Sequence, residues 1–286
     1  VSEKPSFGEQ IAWGESNAVA FANSVLGART IQYPDLLDVC AAITGRVPAV
    51  GLHLNENRAG EILLKLIDIP EDLQIDDLFA PVLGHLLGTI ADDRVPVVEG
   101  LTVELAEDQL KAICAGGASS GAVHLFHIVG QTPEALTRAE AFQGNEPTDV
   151  HDINLRDLRH IRSELDSSQG KALDMVVLGS PHFSFAEFRK LEPMIEGQQC
   201  HTDVDFLVTS SRAMVKLARE SGLLDTLEAF GGKVTVDTCI LTTPMLFPET
   251  RRLMTNSAKY AYYSPGLLDA EVAFGSMADC VRSAIS

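Results

Sequence analysis

Residues 175–182 read MVVLGSPH, a short apolar run that passes at once into small and polar residues. The same change recurs at 205–212, 233–239 and 252–259, and helical patterns separate the apolar runs. Strands that alternate with helices predict βαβ units and a parallel sheet. Because ligands bind beyond the carboxyl ends of such strands, the pattern predicts one polar crevice at that edge.

The whole chain is predicted to be an α/β protein with two lobes, built from mostly parallel sheets flanked by helices. A polar run at 143–152, interrupted by Gly144 and Pro147, separates the two halves. We therefore expect a first lobe at 1–145 and a second lobe with βαβ units at 146–286. The strands predicted in the second half are 175–178, 205–208, 233–236, 252–254 and 271–274.

The first half shows helix and strand signals as well. Ser16 or Asn17 is a suitable N-cap for a first helix, and Asp35 is a suitable N-cap for a second one that stops at Gly45. Residues 122–129 read as a buried strand.

Composition excludes several classes of function. The chain has 286 residues, 45% of them hydrophobic, and a formal net charge of −18, so no nucleic-acid partner is expected. It contains no apolar run of about 18 residues, and no membrane span is predicted. No secretory signal is visible and the five cysteines are scattered, which favours a cytoplasmic location over a disulfide-stabilised secreted protein.

Two cysteines lie in suggestive places. Cys239 follows the strand at 233–236 on the expected ligand edge, where a thiolate would suit iron, an iron–sulfur cluster or zinc. Cys40 lies on the second predicted helix, with apolar residues at helical spacing. Without a C-x-x-C motif, spacing alone favours a small buried thiol at both positions.

Histidines give a weaker signal. His124 and His127 are three positions apart on a predicted strand, so they face opposite sides and do not chelate one metal. His182 directly follows a strand, and a hydrogen-bonding role at the site is as plausible as an ordinary loop position.

Basic residues at the same edge would suit a carboxylate. Ser210, Ser211 and Arg212 stand at a strand-to-helix turn, where hydroxyls, backbone N–H groups and a guanidinium come together. Lys259 lies close behind Asn256 at the next such turn and would hold an anion or assist a proton transfer. A helix cap with a solvated arginine and a surface lysine are the equally open alternatives.

Several segments resemble the large subunit or domain of aconitase X, a branch of the aconitase superfamily. The resemblance runs along essentially the whole chain, and its first and last segments are long enough to be specific. The segments are WGESNAVAFANSVLGART (13–30), AITGR (42–46), GLH (51–53), GSPH (179–182), DTC (237–239) and TNSAKYA (255–261).

The resemblance implies a hydro-lyase that acts on a small hydroxy carboxylic acid with an iron or iron–sulfur centre. Family members dehydrate cis-3-hydroxy-L-proline or mevalonate 5-phosphate. Cys239 matches a family cysteine, and Cys40 stands where the hydroxyproline branch has another. The phosphomevalonate branch usually has cysteine where this chain has Ser180, so we expect cis-3-hydroxy-L-proline as substrate and pyrroline-2-carboxylate as product.

Under this resemblance each candidate residue receives a role. Cys40 and Cys239 are the expected metal ligands, and Lys259 and Ser211 the expected catalytic residues. The expected substrate-binding residues are Ser16, Asn17, His182, Ser210, Ser211, Arg212 and Asn256. The carboxylate would be held by Ser210, Ser211 and Arg212, and the base that takes the α-proton would be a serine outside this chain.

The resemblance also implies missing parts and one rival function. Family members carry an N-terminal segment with a further cysteine, and a small swivelling domain that is either fused or a separate subunit. Neither is found in this sequence, so the chain is expected to be a fragment that needs this partner. Ile31 and Gln32 stand where relatives commonly have an Asn-Arg pair. The rival is a non-catalytic subunit or scaffold whose polar crevice is an interface.

Overall fold

The structure is a computed structural model that describes residues 4–168, 170, 172–243 and 250–285. The chain forms two compact units, Val1–His160 and Ile161–Ser286. The division predicted after residue 145 lies earlier than the structural one. A strand at Asp149–Ile153 pairs in parallel with Ile62–Leu66 and so belongs to the sheet of the first unit.

The first unit is built on a four-stranded parallel sheet with the strand order β3-β2-β1-β4. Two short 3₁₀ helices, Gly51–His53 and Asn55–Arg58, precede its first strand. In chain order its elements are α1 (Ser16–Ser24), α2 (Leu37–Thr44), β1 (Ile62–Leu66), α3 (Glu71–Gln74), α4 (Phe79–Ala91), β2 (Pro96–Glu99), α5 (Glu107–Ser120), β3 (His127–Ile128), α6 (Arg138–Ala141), β4 (Asp149–Ile153) and α7 (Leu155–Glu164), which contains the division between the units.

The core of the first unit follows from its apolar strands and from two closely packed helices. β1 reads ILLKL and is buried at four of its five positions, as expected for a parallel strand covered on both faces. α4 is buried along most of its length. A Cβ atom at Gly84 in α4 would lie only 2.6 Å from the carbonyl oxygen of Ile113 in α5, so glycine permits the close approach of these helices.

The second unit contains a five-stranded parallel sheet with the order β7-β6-β5-β8-β9. All five strands predicted there are present, and the prediction of an α/β fold with mostly parallel sheets is confirmed. The elements are β5 (Met175–Phe183), α8 (Phe185–Ile195), β6 (Asp205–Ser210), α9 (Arg212–Glu220), α10 (Leu223–Phe230), β7 (Gly232–Val236), β8 (Arg252–Thr255), α11 (Ala258–Leu267), β9 (Glu271–Phe274) and α12 (Met277–Ile285).

Apolar side chains of the central strands and the flanking helices form one core in this unit. Val176 and Phe206 are paired in register on β5 and β6, and both are fully buried. Phe206 packs edge-to-face on Phe230 of α10, with ring centroids 5.2 Å apart. The sheet therefore has a rigid base from which the loops at its carboxyl edge extend.

The N-caps of the first two helices differ from the sequence prediction. The N-cap of α1 is Glu15, whose carboxylate accepts from the Ala18 N–H, and not Ser16 or Asn17. The N-cap of α2 is Leu36, one position after Asp35, and its side chain makes no capping bond.

The strand predicted over 122–129 is reduced to β3. The preceding backbone makes its hydrogen bonds elsewhere: the Phe126 N–H donates to the hydroxyl of Ser24, and the His124 carbonyl accepts from the amide of Asn23. These partners lie on α1 and not on a strand, so no ladder forms before His127. In the part of the chain that is described, no helix has both the length and the apolar character needed to cross a membrane.

Candidate active site

Polar loops converge at the carboxyl edge of the second sheet, as the sequence predicted. β5 pairs with β6 at Leu178↔Val208 and again at Phe183↔Ser210, so residues 179–182 bulge out of the ladder opposite Thr209. Gly179 has φ +103°, and a Cβ atom there would lie 2.1 Å from the Thr209 carbonyl oxygen. Only glycine fits this turn, which lifts Ser180, Pro181 and His182 out at the edge.

Two side chains tie this bulge to its neighbouring loops. Nε2 of His182 lies 2.9 Å from the carbonyl oxygen of Thr238, which follows β7. The hydroxyl of Ser257, after β8, donates to the carbonyl of Ser180. His182 therefore connects the bulge to the segment that carries Cys239, and its ring supports the edge of the site.

Cys239 is a half-buried free thiol beside a buried tyrosine. Tyr260, in the first turn of α11, is 1% exposed, and its hydroxyl lies 3.1 Å from Oγ1 of Thr209. Burial raises the pKa of Tyr260, and its charge interaction and hydrogen bond with Cys239 raise it further. Tyr260 therefore stays protonated next to Cys239 at the edge of the sheet.

The backbone around Cys239 is held as well. Its carbonyl oxygen accepts from Oγ1 of Thr243 at 2.7 Å and from Oγ1 of Thr242 at 3.4 Å. Oγ1 of Thr238 lies 3.2 Å from Oγ1 of Thr243. Several hydroxyl groups thus fix a loop that contains the one cysteine of the predicted ligand edge.

The serines predicted to bind a carboxylate are engaged with the protein itself. Ser210 is fully buried, and its hydroxyl donates to the Phe183 carbonyl at 2.6 Å. Ser211 is the N-cap of α9 and accepts from the Met214 N–H. Ser210 is therefore a structural support of the strand end, whereas the Ser211 hydroxyl still has its own proton to donate.

Arg212 begins α9 on the open side of the same edge. Its side chain is 82% exposed and its Nε lies 3.0 Å from Oδ2 of Asp237, two residues before Cys239. Asn256 and Lys259 are half-buried on either side of Ser257, whose hydroxyl caps α11. The second unit therefore brings together His182, Ser210, Ser211, Arg212, Cys239, Asn256 and Lys259 along one edge of its sheet.

Three other predicted site residues belong to the first unit. Ser16 and Asn17 are half-buried in the first turn of α1, and Cys40 is exposed on α2. Exposure contradicts the interpretation of Cys40 as a core thiol. The apolar residues around it, Leu36, Leu37 and Ile43, are exposed too.

The residues that the structure describes do not supply a complete ligand set for an iron centre. Within the described ranges, no group of three or more His, Cys, Asp or Glu side chains is placed to hold a metal ion. Cys40 and Cys239 each supply one thiol, and they lie in different units. Thiolates are suitable iron ligands, but among the described residues neither cysteine belongs to a group of three such side chains.

A buried ionic cluster in the first unit was not predicted from the sequence. The Arg58 side chain is fully buried and donates to both carboxylate oxygens of Glu134 and to the side-chain and backbone oxygens of Asn23. Arg29 donates to Glu134 at 2.9 Å. Burial on its own would raise the pKa of Glu134, but the hydrogen bond and charge of Arg58, together with the charge of Arg29, lower it overall.

The cluster also explains part of the segment 13–30. The Asn23 amide donates to the Thr30 carbonyl and its Oδ1 accepts from the Thr30 N–H, both at 3.0 Å. Arg29 and Asn23 therefore fix the end of α1 and the extended chain that follows it. No local signal could have revealed the cluster, because Arg58 and Glu134 are 76 positions apart.

Family models match most of the chain. Residues 1–56 match the first domain of aconitase X, residues 61–163 the second domain and residues 173–286 the third domain. The phosphomevalonate dehydratase large subunit of Methanocaldococcus jannaschii is 31% identical over 97% of this chain and 68% of its own length. The chain belongs to the aconitase X family. The resemblance predicted from the quoted segments is confirmed.

Two further comparisons place the chain within aconitase X. The cis-3-hydroxy-L-proline dehydratase of Pseudomonas aeruginosa is 45% identical over 97% of this chain, which spans 48% of that relative's length. The crystal structure of aconitase X from Thermococcus kodakaraensis in its holo-form superposes with a TM-score of 0.87 at 29% identity, covering 98% of this chain and 69% of the other. The chain thus spans about half the length of the hydroxyproline relative and over two thirds of the crystallised one.

Proposed function

We propose that this chain is part of a hydro-lyase that dehydrates cis-3-hydroxy-L-proline to pyrroline-2-carboxylate. The observation that supports this most directly is the meeting of Cys239, His182, Arg212 and Lys259 at one edge of the second sheet. The 45% identity to a cis-3-hydroxy-L-proline dehydratase supports the same substrate.

The reaction removes the α-proton from C2 and the hydroxyl from C3 of the ring. The electron pair of the broken C–H bond forms the C2–C3 double bond, and hydroxide leaves and is protonated to water. The enamine then takes a proton at C3 and loses its N–H proton, so that the double bond moves to C2–N and the cyclic imine forms. A site for this reaction has to hold the carboxylate, because negative charge develops next to it as the proton leaves.

Arg212 is proposed to hold that carboxylate. Among the residues that the structure describes, Asp237 forms an ion pair with this guanidinium, 3.0 Å from Nε, and neither of the two Nη groups has a hydrogen-bond partner. The Ser211 hydroxyl and the Asn256 amide are further candidate donors at the same edge, and Ser16, Asn17 and His182 remain proposed substrate contacts. Ser210 would support these contacts indirectly, because its hydroxyl is bonded to Phe183.

Lys259 is proposed to assist proton transfer or to balance the developing charge, since it follows Asn256 on the first turn of α11. The α-proton itself would be taken by a serine of the small swivelling domain. That a relative is named a large subunit supports such a partner.

Cys40 and Cys239 remain the proposed ligands of an iron or iron–sulfur centre, which would act as a Lewis acid on the leaving hydroxyl. The described residues do not complete its ligand set, so the roles of the other side chains are argued without it. We also propose a cytoplasmic location, because scattered free cysteines suit a reducing compartment.

The test is an assay of the full-length protein, purified without oxygen together with any small subunit. cis-3-Hydroxy-L-proline is expected to give pyrroline-2-carboxylate, detected by its coloured adduct with o-aminobenzaldehyde. Mevalonate 5-phosphate is the second substrate to assay, since the relative from M. jannaschii is a phosphomevalonate dehydratase. Turnover of the phosphorylated compound alone would replace the proposed substrate, and no turnover of either would favour the scaffold hypothesis.

A further inference from the structure

Asp237 occupies an unusual backbone position next to Arg212. It is the first residue after β7 and has φ +53°, in the left-handed region that residues other than glycine rarely adopt. Its N–H donates to the Ser210 carbonyl at 3.0 Å, so the pairing of β6 and β7 extends one residue into the turn. The turn carries the Asp237 carboxylate across to the N-terminus of α9.

Both oxygens of this carboxylate contact a single residue, one through a hydrogen bond and the other through an ion pair. Oδ1 accepts from the backbone N–H of Arg212 at 2.9 Å, and Oδ2 lies 3.0 Å from its Nε. A carboxylate at the first N–H of a helix is also favourably placed against the helix dipole. Asp237 therefore contacts both the main chain and the side chain of Arg212.

These two contacts leave the Nη1 and Nη2 edge of the guanidinium open. In the described part of the chain neither Nη1 nor Nη2 has a hydrogen-bond partner, and the side chain is 82% exposed. Two parallel N–H groups on one edge are the geometry that binds a carboxylate in a bidentate manner. A long, exposed arginine without such an anchor would sample many rotamers and lose this orientation.

We propose that Asp237 is a positioning residue, which orients the free edge of Arg212 toward the substrate carboxylate. The proposal rests on the carboxylate-binding role given to Arg212 above. It makes a prediction opposite in sign to that of an ordinary surface ion pair. If Asp237 were only a nearby negative charge, its removal would strengthen the binding of an anion. If it positions Arg212, its removal weakens that binding.

The first experiment measures the orientation itself. Asp237→Asn keeps the size of the side chain and tolerates a positive φ, but it removes the negative charge that pairs with the Arg212 guanidinium. In the full-length protein, the ¹⁵N relaxation of the Arg212 Nε–H is expected to show a rigid group, which becomes mobile in Asp237→Asn. Equal mobility in the two proteins would overturn the proposal, whatever the substrate.

The second experiment tests whether that orientation of Arg212 contributes to carboxylate binding. L-Proline carries the carboxylate and the ring but no leaving hydroxyl, so its dissociation constant reports binding alone. Asp237→Asn is expected to weaken L-proline binding at least about threefold, within the usual range of coupling between contacting residues. Glu228→Gln is the matched control, because it removes the same charge from an exposed pair with Arg219 at the far end of α9, and it should leave binding unchanged.

Double variants separate the possible failures. In an Arg212→Met background, Asp237→Asn should have no further effect on L-proline binding. An equal loss in both backgrounds, or tighter binding in the single variant, would overturn the role of Asp237. If Arg212→Met alone has no effect on L-proline binding, the carboxylate role of Arg212 is refuted. If the unaltered protein does not bind L-proline, the proposed substrate is refuted. Either result would remove the role of Asp237 as well. If Asp237→Asn does not fold, Asp237→Gly also removes the carboxylate and suits the positive φ, and it should weaken L-proline binding in the same way. Unchanged or tighter binding in that variant would overturn the role of Asp237.

Discussion

The hydroxyl of Tyr260 lies 3.1 Å from Oγ1 of Thr209, although the two residues are 51 positions apart. Thr209 belongs to β6, and Tyr260 lies on the helix after β8. Oγ1 of Thr209 also donates to the Gly179 carbonyl at 2.6 Å. This pair of hydroxyls therefore ties together the ends of three neighbouring strands next to Cys239, which makes the polar edge a preorganised structure and not a set of independent loops.

Tyr260→Phe should loosen the Cys239 loop. The variant keeps the aromatic ring in the core but removes a buried hydroxyl whose partners lose a hydrogen bond, at a cost of about 1–3 kcal/mol. Hydrogen exchange measured by mass spectrometry should become faster in a peptide covering residues 232–243. Tyr262→Phe on the exposed side of the same helix is the control and should leave this exchange unchanged. Unaltered exchange in Tyr260→Phe would show that the loop does not depend on this contact.

Arg58→Met should strongly destabilise the first unit. The change leaves the Glu134 carboxylate with Arg29 as its remaining ion-pair partner, and removing one member of a buried ion pair typically costs about 3–5 kcal/mol. Urea unfolding followed by the fluorescence of Trp13, the one tryptophan of the chain, reports on this unit. Lys4→Met breaks a half-exposed pair with Glu107 and should cost less than about 1 kcal/mol. If Arg58→Met and Lys4→Met lower the free energy of unfolding by similar amounts, burial does not make the Arg58 ion pair more important than an exposed one.

His127 should make the first unit less stable as the pH falls below about 6.5. Burial, the largest effect, lowers the pKa of this histidine, and the ring lies 2.7 Å from the Arg58 carbonyl as a neutral N–H donor. Below the pKa that His127 has in the unfolded chain, the unfolded chain binds a proton that the folded chain does not bind. The free energy of unfolding therefore falls by up to about 1.4 kcal/mol per pH unit.

The corresponding variant is His127→Gln, which retains an N–H donor for the Arg58 carbonyl but does not titrate. Unfolding free energies measured between pH 7 and pH 5 should depend less steeply on pH in this variant than in the unaltered protein. His53 and His124, whose pKa values are also lowered chiefly by burial, are present in both proteins and cancel in the comparison. Equal slopes would refute the assignment to His127.

The fold of the second unit was predictable from the sequence because its strands are buried on both faces. Such strands are continuous apolar runs, and the start of each polar loop marks the carboxyl edge. The predicted strand at 175–178 extends in the structure to Phe183, because the bulge at 179–182 returns the chain to β6. That return depends on the contact of Gly179 with Thr209, which no local pattern contains.

The first unit and parts of the site were less predictable for two physical reasons. Residues 122–126 have the apolar character of a strand, but side chains of Asn23 and Ser24, about 100 positions away, take their backbone hydrogen bonds. α2 has apolar residues at helical spacing around Cys40, yet none of its residues is buried. Periodicity shows that a helix is amphipathic or apolar, but it does not show what covers it.

Cys239→Ser and Cys40→Ser test the proposed metal ligands. In the full-length protein purified without oxygen, each variant should lower both the iron bound per protein and the rate of dehydration by more than about tenfold, since loss of even an indirect ligand contact costs that much. Serine keeps the shape of the side chain but is a poor ligand for iron, so the effect should be on the metal and not on folding.

Cys200→Ser is the matched control: Cys200 is half-buried and its thiol donates to the Val204 carbonyl, away from the polar edge. Iron content that is normal in Cys239→Ser but low in Cys200→Ser would invert the assignment. If both predicted ligands can be replaced without loss of iron, the centre is held by residues outside this chain, and the thiol beside Tyr260 serves only to pack the loop.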